Sequence, residues 1–300
     1  MATICLYPHQ VGGHKILLKS SKRGIILKPF DQKEYDFYES LRFFPEFLSF
    51  TCVYYGVTRC SLSSFSASDR PSHPQSLVGD YVMIQDITAG FQRPCVLDIK
   101  VGTRQYDDDA PPHKIRSHTL RSQTTTSGSL GLRICGMQVY QSTTLCYMCL
   151  DRHCGRALSK EAFPGTVRQF FHNGHRLCRE VVRIVRAQIS RIEALFTRQR
   201  SHRLYSSSLL LVYDGVMVAG PEERPADDLV CSTDVRIVDF AHATRLPAMD
   251  SRTRVPDEDY LSGIRTLLAI LDGILAEPDL PPVITTAPSN RPCQSQSTAV

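Results

Sequence analysis

The stretch that most limits the fold of this chain is PCVLDIKVG, residues 94–102, an apolar run that carries an aspartate and a lysine. Because a strand alternates its side chains between two faces, Asp98 and Lys100 share one face, while Leu97 and Ile99 share the other. Lysine and aspartate are rarely fully buried without a partner. The pattern predicts either a buried salt bridge or a strand end that brings both charges to a phosphate-handling site.

The composition sets the size and the charge of the fold. With 300 residues and 42% hydrophobic side chains, the chain can bury one large core or build two lobes. The formal charge of +5, from 35 basic and 30 acidic residues, is mild. It favours a site for an anionic ligand over a general nucleic-acid-binding surface, so we expect no nucleic-acid partner.

We expect neither an export signal nor a membrane span. The first residues, MATICLYPHQVGGHK, lack the apolar core of a signal peptide, and no apolar run approaches the roughly 18–20 residues that cross a bilayer. The eleven cysteines, from Cys5 to Cys293, are therefore expected to be reduced. We expect a monomer in the cytoplasm and/or the nucleus.

One cysteine cluster, CYMCLDRHC (146–154), could begin a zinc site. Its C-x2-C pair lacks a second pair at suitable spacing, and His153 and Cys154 are adjacent. Ordinary packing of small apolar side chains is the favoured interpretation.

The first third of the chain is rich in predicted strands. Two apolar stretches flank the polar turn SSKRG and predict a hairpin, and aromatic residues at helical spacing predict the helix after it. A Ser/Pro-rich stretch predicts a mobile loop before the next strand. These elements are strands 16–19, 25–28 and 80–86, the helix 31–44 and the loop 60–77.

The remaining two thirds combine strands with longer helices. The predicted elements are strands 94–102, 131–141, 207–215 and 235–243 and helices 160–172, 176–199 and 260–275. The Pro/Ser/Thr-rich tail, 281–300, is expected to be disordered. We therefore predict an α+β fold with a small β-rich N-terminal lobe (1–86), a larger α+β C-terminal lobe (87–280) and a nucleotide at their junction.

Three charged residues fit the needs of phosphoryl transfer, which relies on positioning, cations and metal ions. Lys28 ends a strand and could reach nucleotide phosphates, and Glu39 on the next helix could hold it by an ion pair. Asp239 ends another strand and could bind magnesium, which prefers one or two carboxylates together with phosphate oxygens. No Walker loop and no GxGxxG is present, which argues against P-loop and Rossmann folds.

A cationic segment, TRQYDDDAPPHKIRSHTLRSQ (103–123), follows the strand that carries Lys100. Three aspartates, 107–109, interrupt its basic residues. Such a segment suits a substrate with several phosphates, each carrying roughly −1.5 to −2 charges; the alternative is a solvated loop. The basic residues are Arg104, His113, Lys114, Arg116, His118 and Arg121.

Several stretches together resemble the inositol polyphosphate kinases. The family signature P-x-x-x-D-x-K-x-G is matched by Pro94, Asp98, Lys100 and Gly102. SSSLLLVYDG, VDFAHA and ILKPF followed by FYESL also match, in the family's order. QVGGH, GTRQYDDDA, TSGSLGLRICGMQVYQ and YSSSLL are most similar to the inositol hexakisphosphate kinase branch. The resemblance covers about residues 10–275.

The resemblance implies a two-lobed, protein-kinase-like fold with an ATP-grasp-like cleft that uses ATP and Mg2+. Lys28 would contact the ATP phosphates, the backbone of residues 85–87 would hold adenine, and Asp239 would hold magnesium. Asp98 would act at the ribose or at the reacting group. The implied ATP-site residues are Lys28, Glu39, Gln85, Asp86, Ile87, Asp98 and Asp239.

The same resemblance implies where the phosphate acceptor binds. Lys100, catalytic together with Asp98, would bridge the transferred phosphate and the inositol phosphate. The implied acceptor-site residues are Lys100, Arg104, Lys114, Arg121, Ser207, Ser208 and His242. The chain departs from the family at its hinge, where Gln85-Asp86 replaces Glu-Asn, at Ala243, and at YDDDAP, which replaces HGDDAS.

The favoured function is an ATP-dependent kinase that phosphorylates inositol hexakisphosphate, or a pentakisphosphate, to a diphosphoinositol polyphosphate. One alternative is an inositol polyphosphate multikinase or trisphosphate kinase that acts on ring hydroxyls. Another is a non-catalytic inositol-phosphate-binding scaffold, against which the intact Asp98, Lys100 and Asp239 argue. A protein kinase is disfavoured because no H-R-D-x-x-x-x-N loop is present.

Overall fold

The computed structural model describes residues 4–13, 15–21, 24–61, 77–220, 222 and 224–278. The predicted mobile loop lies almost wholly, and the predicted disordered tail wholly, outside these residues. Within them, no helix has the length and apolar character that crossing a membrane requires.

The N-terminal part of the chain forms a five-stranded antiparallel sheet. Its spatial order is β1-β2-β3-β5-β4, and the predicted hairpin is its β2–β3 pair, in which Leu18 lies opposite Leu27. Side chains alternate along β3, so Ile26 faces the main core while Leu27 belongs to a small separate cluster on the other face. The strands are β1 (Ile4–Leu6), β2 (Leu18–Ser20), β3 (Ile25–Pro29), β4 (Tyr54–Cys60) and β5 (Gly79–Gln85).

A second antiparallel sheet of five strands forms the C-terminal part, in the order β11-β10-β6-β7-β8. Its strands are β6 (Pro94–Val101), β7 (Leu132–Gln141), β8 (Cys146–Leu150), β10 (Ser208–Asp214) and β11 (Thr233–Val238). Two short strands, β9 (His202–Leu204) and β12 (Ala243–Arg245), pair separately. Each of the four strands predicted in this half begins within two residues of an observed one, but the strand predicted over 235–243 ends at Val238, and β8 was not predicted.

Helices flank both sheets. The two long ones, α6 and α8, each bury one apolar stripe, and that periodicity is why the sequence indicated both. The helices are α1 (Gln32–Ser40), α2 (Pro112–Gln123), α3 (Thr126–Leu130), α4 (Arg152–Ala157), α5 (Ala162–Phe170), α6 (Arg179–Arg198), α7 (Ala226–Val230) and α8 (Glu258–Ala276).

Helix α2 was not predicted. The sequence suggested a loop over the whole cationic segment, but its second half is helical from Pro112 onward. Proline at the first helical position costs no hydrogen bond and has a preset φ, and no glycine or proline follows it within the helix. The helix therefore holds the basic residues of this segment at fixed spacing.

One hydrophobic core joins the two parts of the molecule. Phe37 of α1 stacks on Phe240 beyond β11 with ring centroids 3.9 Å apart, and both side chains are buried. The backbone adds a second link, since Ile237 N donates to Phe50 O at 2.7 Å. The α+β, two-lobed fold is confirmed, whereas the division into separate units at residue 86 stays a prediction.

Candidate active site

Strand β6 carries its two charges on one face, as its alternation predicts. Leu97 and Ile99 are fully buried in the core, and Asp98 and Lys100 lie on the opposite face. In the described structure no ion pair joins these two residues. Lys100 Nζ instead donates to the backbone carbonyl of Ser206 at 2.5 Å and contacts its Oγ at 3.1 Å. The buried-salt-bridge interpretation of this strand is therefore wrong.

Asp98 is a buried carboxylate with unused hydrogen-bonding capacity. Its exposed fraction is 6%, and its Oδ1 has no hydrogen-bond partner among the described residues. Burial, followed by the nearby charge of Asp239, raises the pKa of Asp98. Gly12 covers it so closely that a Cβ there would stand 2.2 Å from Asp98 Oδ2. The glycine of QVGGH thus lets backbone lie directly over this carboxylate.

Lys28 is held by two carboxylates from different elements. Its Nζ lies 2.8 Å from Glu34 Oε1 on α1 and 2.5 Å from Asp239 Oδ1 after β11. Burial alone would lower the pKa of Lys28, but Asp239 and Glu34 outweigh it and raise that pKa. Burial likewise acts to raise the pKa of Asp239, and Lys28 and Lys100 lower it overall. We call Lys28, Glu34 and Asp239 the ion triad.

The ion triad corrects the prediction that Glu39 holds Lys28. Helix α1 begins beside the end of β3, with Asp31 as its N-cap, so the first-turn residue Glu34 is the one that faces Lys28. Five residues further on, the helix has turned by about 500°, which points Glu39 elsewhere. Glu39 lies 4.0 Å from Arg42.

Asp239 has the surroundings of a metal ligand. It is 34% exposed at its side chain and adopts a left-handed φ of 67°, a conformation that aspartate tolerates better than most residues. Oxygen atoms of Asp239 and Asp98 are the kind of ligand that Mg2+ prefers. Among the described residues, no group of three or more His, Cys, Asp or Glu could hold a metal alone. Phosphate oxygens would have to complete the coordination.

The predicted hinge borders a cavity of about 530 Å3. Gln85, Asp86 and Ile87 line it together with residues of β11, but Lys28, Asp98 and Asp239 do not. The backbone N–H groups of Gln85 and Asp86 already donate to Val53 O and Gly24 O. The Asp86 carboxylate is buried and accepts from Thr88 and Tyr7, which fixes the hinge to the segment that follows β1.

Two aspartates of the YDDD stretch are engaged with cations. Asp107 Oδ2 lies 2.8 Å from Lys33 Nζ and 3.0 Å from His242 Nδ1. Burial acts to raise the pKa of Asp107, but these two partners lower it overall. Asp108 lies 2.5 Å from Arg104 and 2.7 Å from Arg252. The stretch therefore offsets part of the positive charge near His242.

The predicted acceptor-site residues divide into three groups. Arg104 is committed to Asp108 and stacks 4.0 Å over the Tyr205 ring. Lys114 is exposed and Arg121 is half-buried on α2, and neither side chain forms a hydrogen bond or ion pair with the rest of the described chain. Ser208 lies opposite Lys100 on β10, fully buried.

Ser207 is engaged within the protein, and its role in substrate binding stays a prediction. Its side chain is fully buried, and its hydroxyl donates to Tyr260 at 3.2 Å. The serine that reaches Lys100 is Ser206, which has a left-handed φ of 58°. In a run of three consecutive serines, the sequence does not indicate which one contacts Lys100. Glu34, Lys33 and Ser206 are the site residues that sequence reasoning missed.

The cysteines of CYMCLDRHC do not pack in the core, so the favoured interpretation of this stretch is wrong. Cys146, Cys149 and Cys154 are exposed, because β8 is an edge strand and α4 lies at the surface. No disulfide links any of the ten cysteines that the structure describes.

Solved structures define the class of fold. The chain is similar to the inositol phosphate multikinase of S. cerevisiae, solved in complex with ADP and Mn2+, with a TM-score of 0.65 and 24% identity over 84% of this chain and 99% of that chain. A second inositol phosphate multikinase structure gives a TM-score of 0.58 and 22% identity over 80% of this chain and 98% of that chain. The fold is therefore of the inositol phosphate multikinase type.

Sequence comparison gives the family. The model described as inositol polyphosphate kinase matches residues 81–272. Inositol hexakisphosphate kinase 3 of Homo sapiens is 35% identical over 67% of this chain and 53% of its own length. Inositol hexakisphosphate kinase 1 of Rattus norvegicus is 34% identical over 71% of this chain and 56% of its own length. The chain belongs to the inositol polyphosphate kinase family and spans about half the length of these relatives.

Proposed function

We propose that the chain is an ATP-dependent inositol hexakisphosphate kinase. It transfers the γ-phosphate of ATP to a phosphate of inositol hexakisphosphate, or of a pentakisphosphate, and yields a diphosphoinositol polyphosphate. The observation that carries this proposal is the face of β6. There Asp98 and Lys100 lie beside the ion triad on one side and, on the other, beside basic residues that have no partner in the described part of the chain. Such a face suits two phosphate-rich ligands meeting at Lys100.

On the nucleotide side, the ion triad presents Lys28 to the ATP phosphates, and Asp239 would hold Mg2+. The bound Mg2+ supplies charge that neutralises phosphate oxygens. The backbone N–H and C=O of Ile87, which have no hydrogen-bond partner in the described residues, are available to adenine. The Oδ1 of Asp98, unpaired among the described residues, is a ready acceptor for a ribose hydroxyl.

On the acceptor side, Lys100 contacts the phosphate in transit and one phosphate of the inositol. Its ammonium counts most as negative charge shifts between oxygens, so it favours the transition state over the ground state. Lys114, Arg121 and His242 bind further phosphates. Arg104 and Ser208 lie in the same region but do not contact the ligand directly. Arg104 is already ion-paired, and Ser208 is buried.

A second candidate is a multikinase or trisphosphate kinase that acts on ring hydroxyls. The observation in its favour is Asp107, a buried carboxylate that takes up Lys33 and His242. An acceptor with fewer phosphates would suit a site whose cations are partly offset in this way.

Product analysis separates the two candidates. The protein is incubated with ATP and Mg2+ and with either hexakisphosphate or a trisphosphate, and the products are resolved by charge. We expect a more anionic product from hexakisphosphate, with Lys100→Ala as the inactive control. A product from the trisphosphate alone would favour the second candidate. Binding of an inositol phosphate without formation of any product would favour a scaffold.

A further inference from the structure

Three arginines from separate elements converge on one side of β7. Arg133 is the second residue of β7 and lies directly opposite Lys100 of β6, so both side chains leave the sheet on the same face. Arg121 lies in the last turn of α2, and Arg156 lies in α4. We call Arg121, Arg133 and Arg156 the arginine cluster.

Two close backbone contacts bring these elements together. Gly155, next to Arg156, lies so near β7 that a Cβ there would stand 2.1 Å from Ile134 O. Gly128 of α3 also lies close to the end of α2, where a Cβ would stand 2.7 Å from Ser122 O. These contacts fix Arg156 and Arg121 beside the start of β7. Burial, and then the charges of Arg121 and Arg133, lower the pKa of Arg156, as expected for guanidinium groups that repel one another.

The described residues provide no compensation for these charges. Arg133 is 5% exposed, and its Nη1 is buried without a hydrogen-bond partner. None of the three guanidinium groups forms a hydrogen bond or ion pair within the described chain. Arg203, which is also 5% exposed, shows the usual alternative: it donates to the carbonyls of Arg252 and Val255 and lies 3.8 Å from Asp257. A buried cation without such partners is costly unless an anion binds it.

We propose that the arginine cluster is a phosphate-binding subsite, adjacent to Lys100, that takes one phosphate group of the inositol polyphosphate acceptor. Guanidinium groups match phosphate oxygens with paired donors, and three of them suit a group that carries about two negative charges. Because neighbouring strands lie about 4.8 Å apart, an acceptor held by Lys100 reaches Arg133 with an adjacent phosphate. The inference rests on the proposed function for the identity of the ligand.

The test compares Arg133→Met with the wild type in binding and in unfolding. Arg133→Met keeps the apolar stem and removes the charge, and Lys160→Ala, which removes an exposed charge beyond α4, is the matched control. We expect the dissociation constant for hexakisphosphate, measured by calorimetry without ATP, to rise about 10- to 100-fold in Arg133→Met. The control and the affinity for Mg·ATP should stay within about twofold.

Unfolding distinguishes a binding role from a structural one. Since Arg133→Met relieves repulsion, the ligand-free variant should unfold at the same temperature as the wild type or higher, while its stabilisation by hexakisphosphate shrinks. A ligand-free variant that unfolds much earlier would indicate a structural role and overturn the subsite. So would unchanged hexakisphosphate binding.

A second variant covers the case in which Arg133→Met does not fold. Arg156→Ala removes a partly exposed side chain, and we expect it to weaken hexakisphosphate binding about tenfold. Wild-type affinity in this variant would overturn the proposal. If the wild type transfers phosphate and both variants bind normally, only the subsite fails. If the variants lose binding and the wild type transfers nothing, the subsite stands and the proposed function fails.

Discussion

The ion triad and the arginine cluster treat buried charge in opposite ways. In the triad, one ammonium group meets two carboxylates at 2.8 Å and 2.5 Å. In the cluster, three guanidinium groups meet no carboxylate within the described chain, and one of them is 5% exposed. The ion triad therefore holds its geometry without a ligand. The arginine cluster carries positive charge that the described residues do not offset, and an anion would offset it.

Asp107 is the exception that makes the comparison informative. It lies in the proposed acceptor region, yet it pairs with Lys33 and His242, as the two carboxylates of the ion triad pair with Lys28. The family's HGDDAS has glycine where this chain has Asp107, so this offset belongs to this chain. In the proposed acceptor region, Asp107 thus offsets the positive charge at one edge, whereas no described carboxylate pairs with the neighbouring arginine cluster.

Lys100 joins the two regions, and its removal should have the largest effect. We expect Lys100→Ala to lower kcat about 10²–10³-fold, equivalent to about 3–4 kcal/mol, with unchanged thermal unfolding. The protein should remain folded because Lys100 donates to Ser206 and not to Asp98. Lys100→Arg should restore little, since a planar fork replaces a point charge. An unfolded variant, or a folded and active one, would contradict this role.

Asp239 tests the metal side of the ion triad. Asp239→Asn keeps the shape and removes the charge, and we expect turnover to fall about 10²-fold at every Mg2+ concentration. Asp272→Asn is the matched control, because Asp272 on α8 pairs with Arg186 at the surface and does not line the hinge cavity. Near-normal activity of Asp239→Asn in a magnesium titration would remove Asp239 from this role.

Glu34 and Glu39 test which glutamate holds Lys28. Glu34 is 1% exposed and also accepts from Phe240 N at 3.3 Å, whereas Glu39 is a partly exposed residue. We expect Glu34→Gln to cost about 1–3 kcal/mol of unfolding free energy and to lower turnover about tenfold. Glu39→Gln should stay within about 0.5 kcal/mol. Equal effects in denaturant unfolding would mean that the triad is wrongly assigned.

Removing the charge of Asp107 should have the smallest effect, and it should improve substrate binding where the other substitutions impair function. Asp107→Asn frees Lys33 and His242 for the ligand, so we expect KM for hexakisphosphate to fall about three- to tenfold with KM for ATP unchanged. Asp109→Asn, which removes a charge that is 86% exposed, should change KM less. A higher KM in Asp107→Asn would mean that the carboxylate positions His242 instead of competing with the ligand.

The sequence predicted local geometry well and spatial partners poorly. The alternation along β6 correctly separated Asp98 and Lys100 from Leu97 and Ile99, because strand geometry depends only on neighbouring residues. The partner of Lys28 depended on where α1 begins relative to β3. Five residues, about 1.4 helical turns, separate Glu34 from Glu39, and periodicity alone does not fix the start of a helix.

The arginine cluster shows the same limit. In the sequence, Arg133 is a polar residue in an alternating strand, and nothing near it indicates that α2 and α4 would bring further arginines beside it. Gly155 and Gly128 permit that approach, but a glycine in a sequence does not name its contact. The unexpected helix α2 had the same effect on Arg121, which a loop would not have held in place.

The salt dependence of ligand binding tests the difference between the two regions most directly. Dissociation constants for hexakisphosphate and for Mg·ATP are measured by calorimetry from about 50 to about 300 mM salt. We predict that, over this range, the dissociation constant for hexakisphosphate rises by a factor at least about ten times larger than the constant for Mg·ATP does. The reason is that the hexakisphosphate site offers cations without compensation among the described residues. Equal slopes for the two ligands would contradict the account.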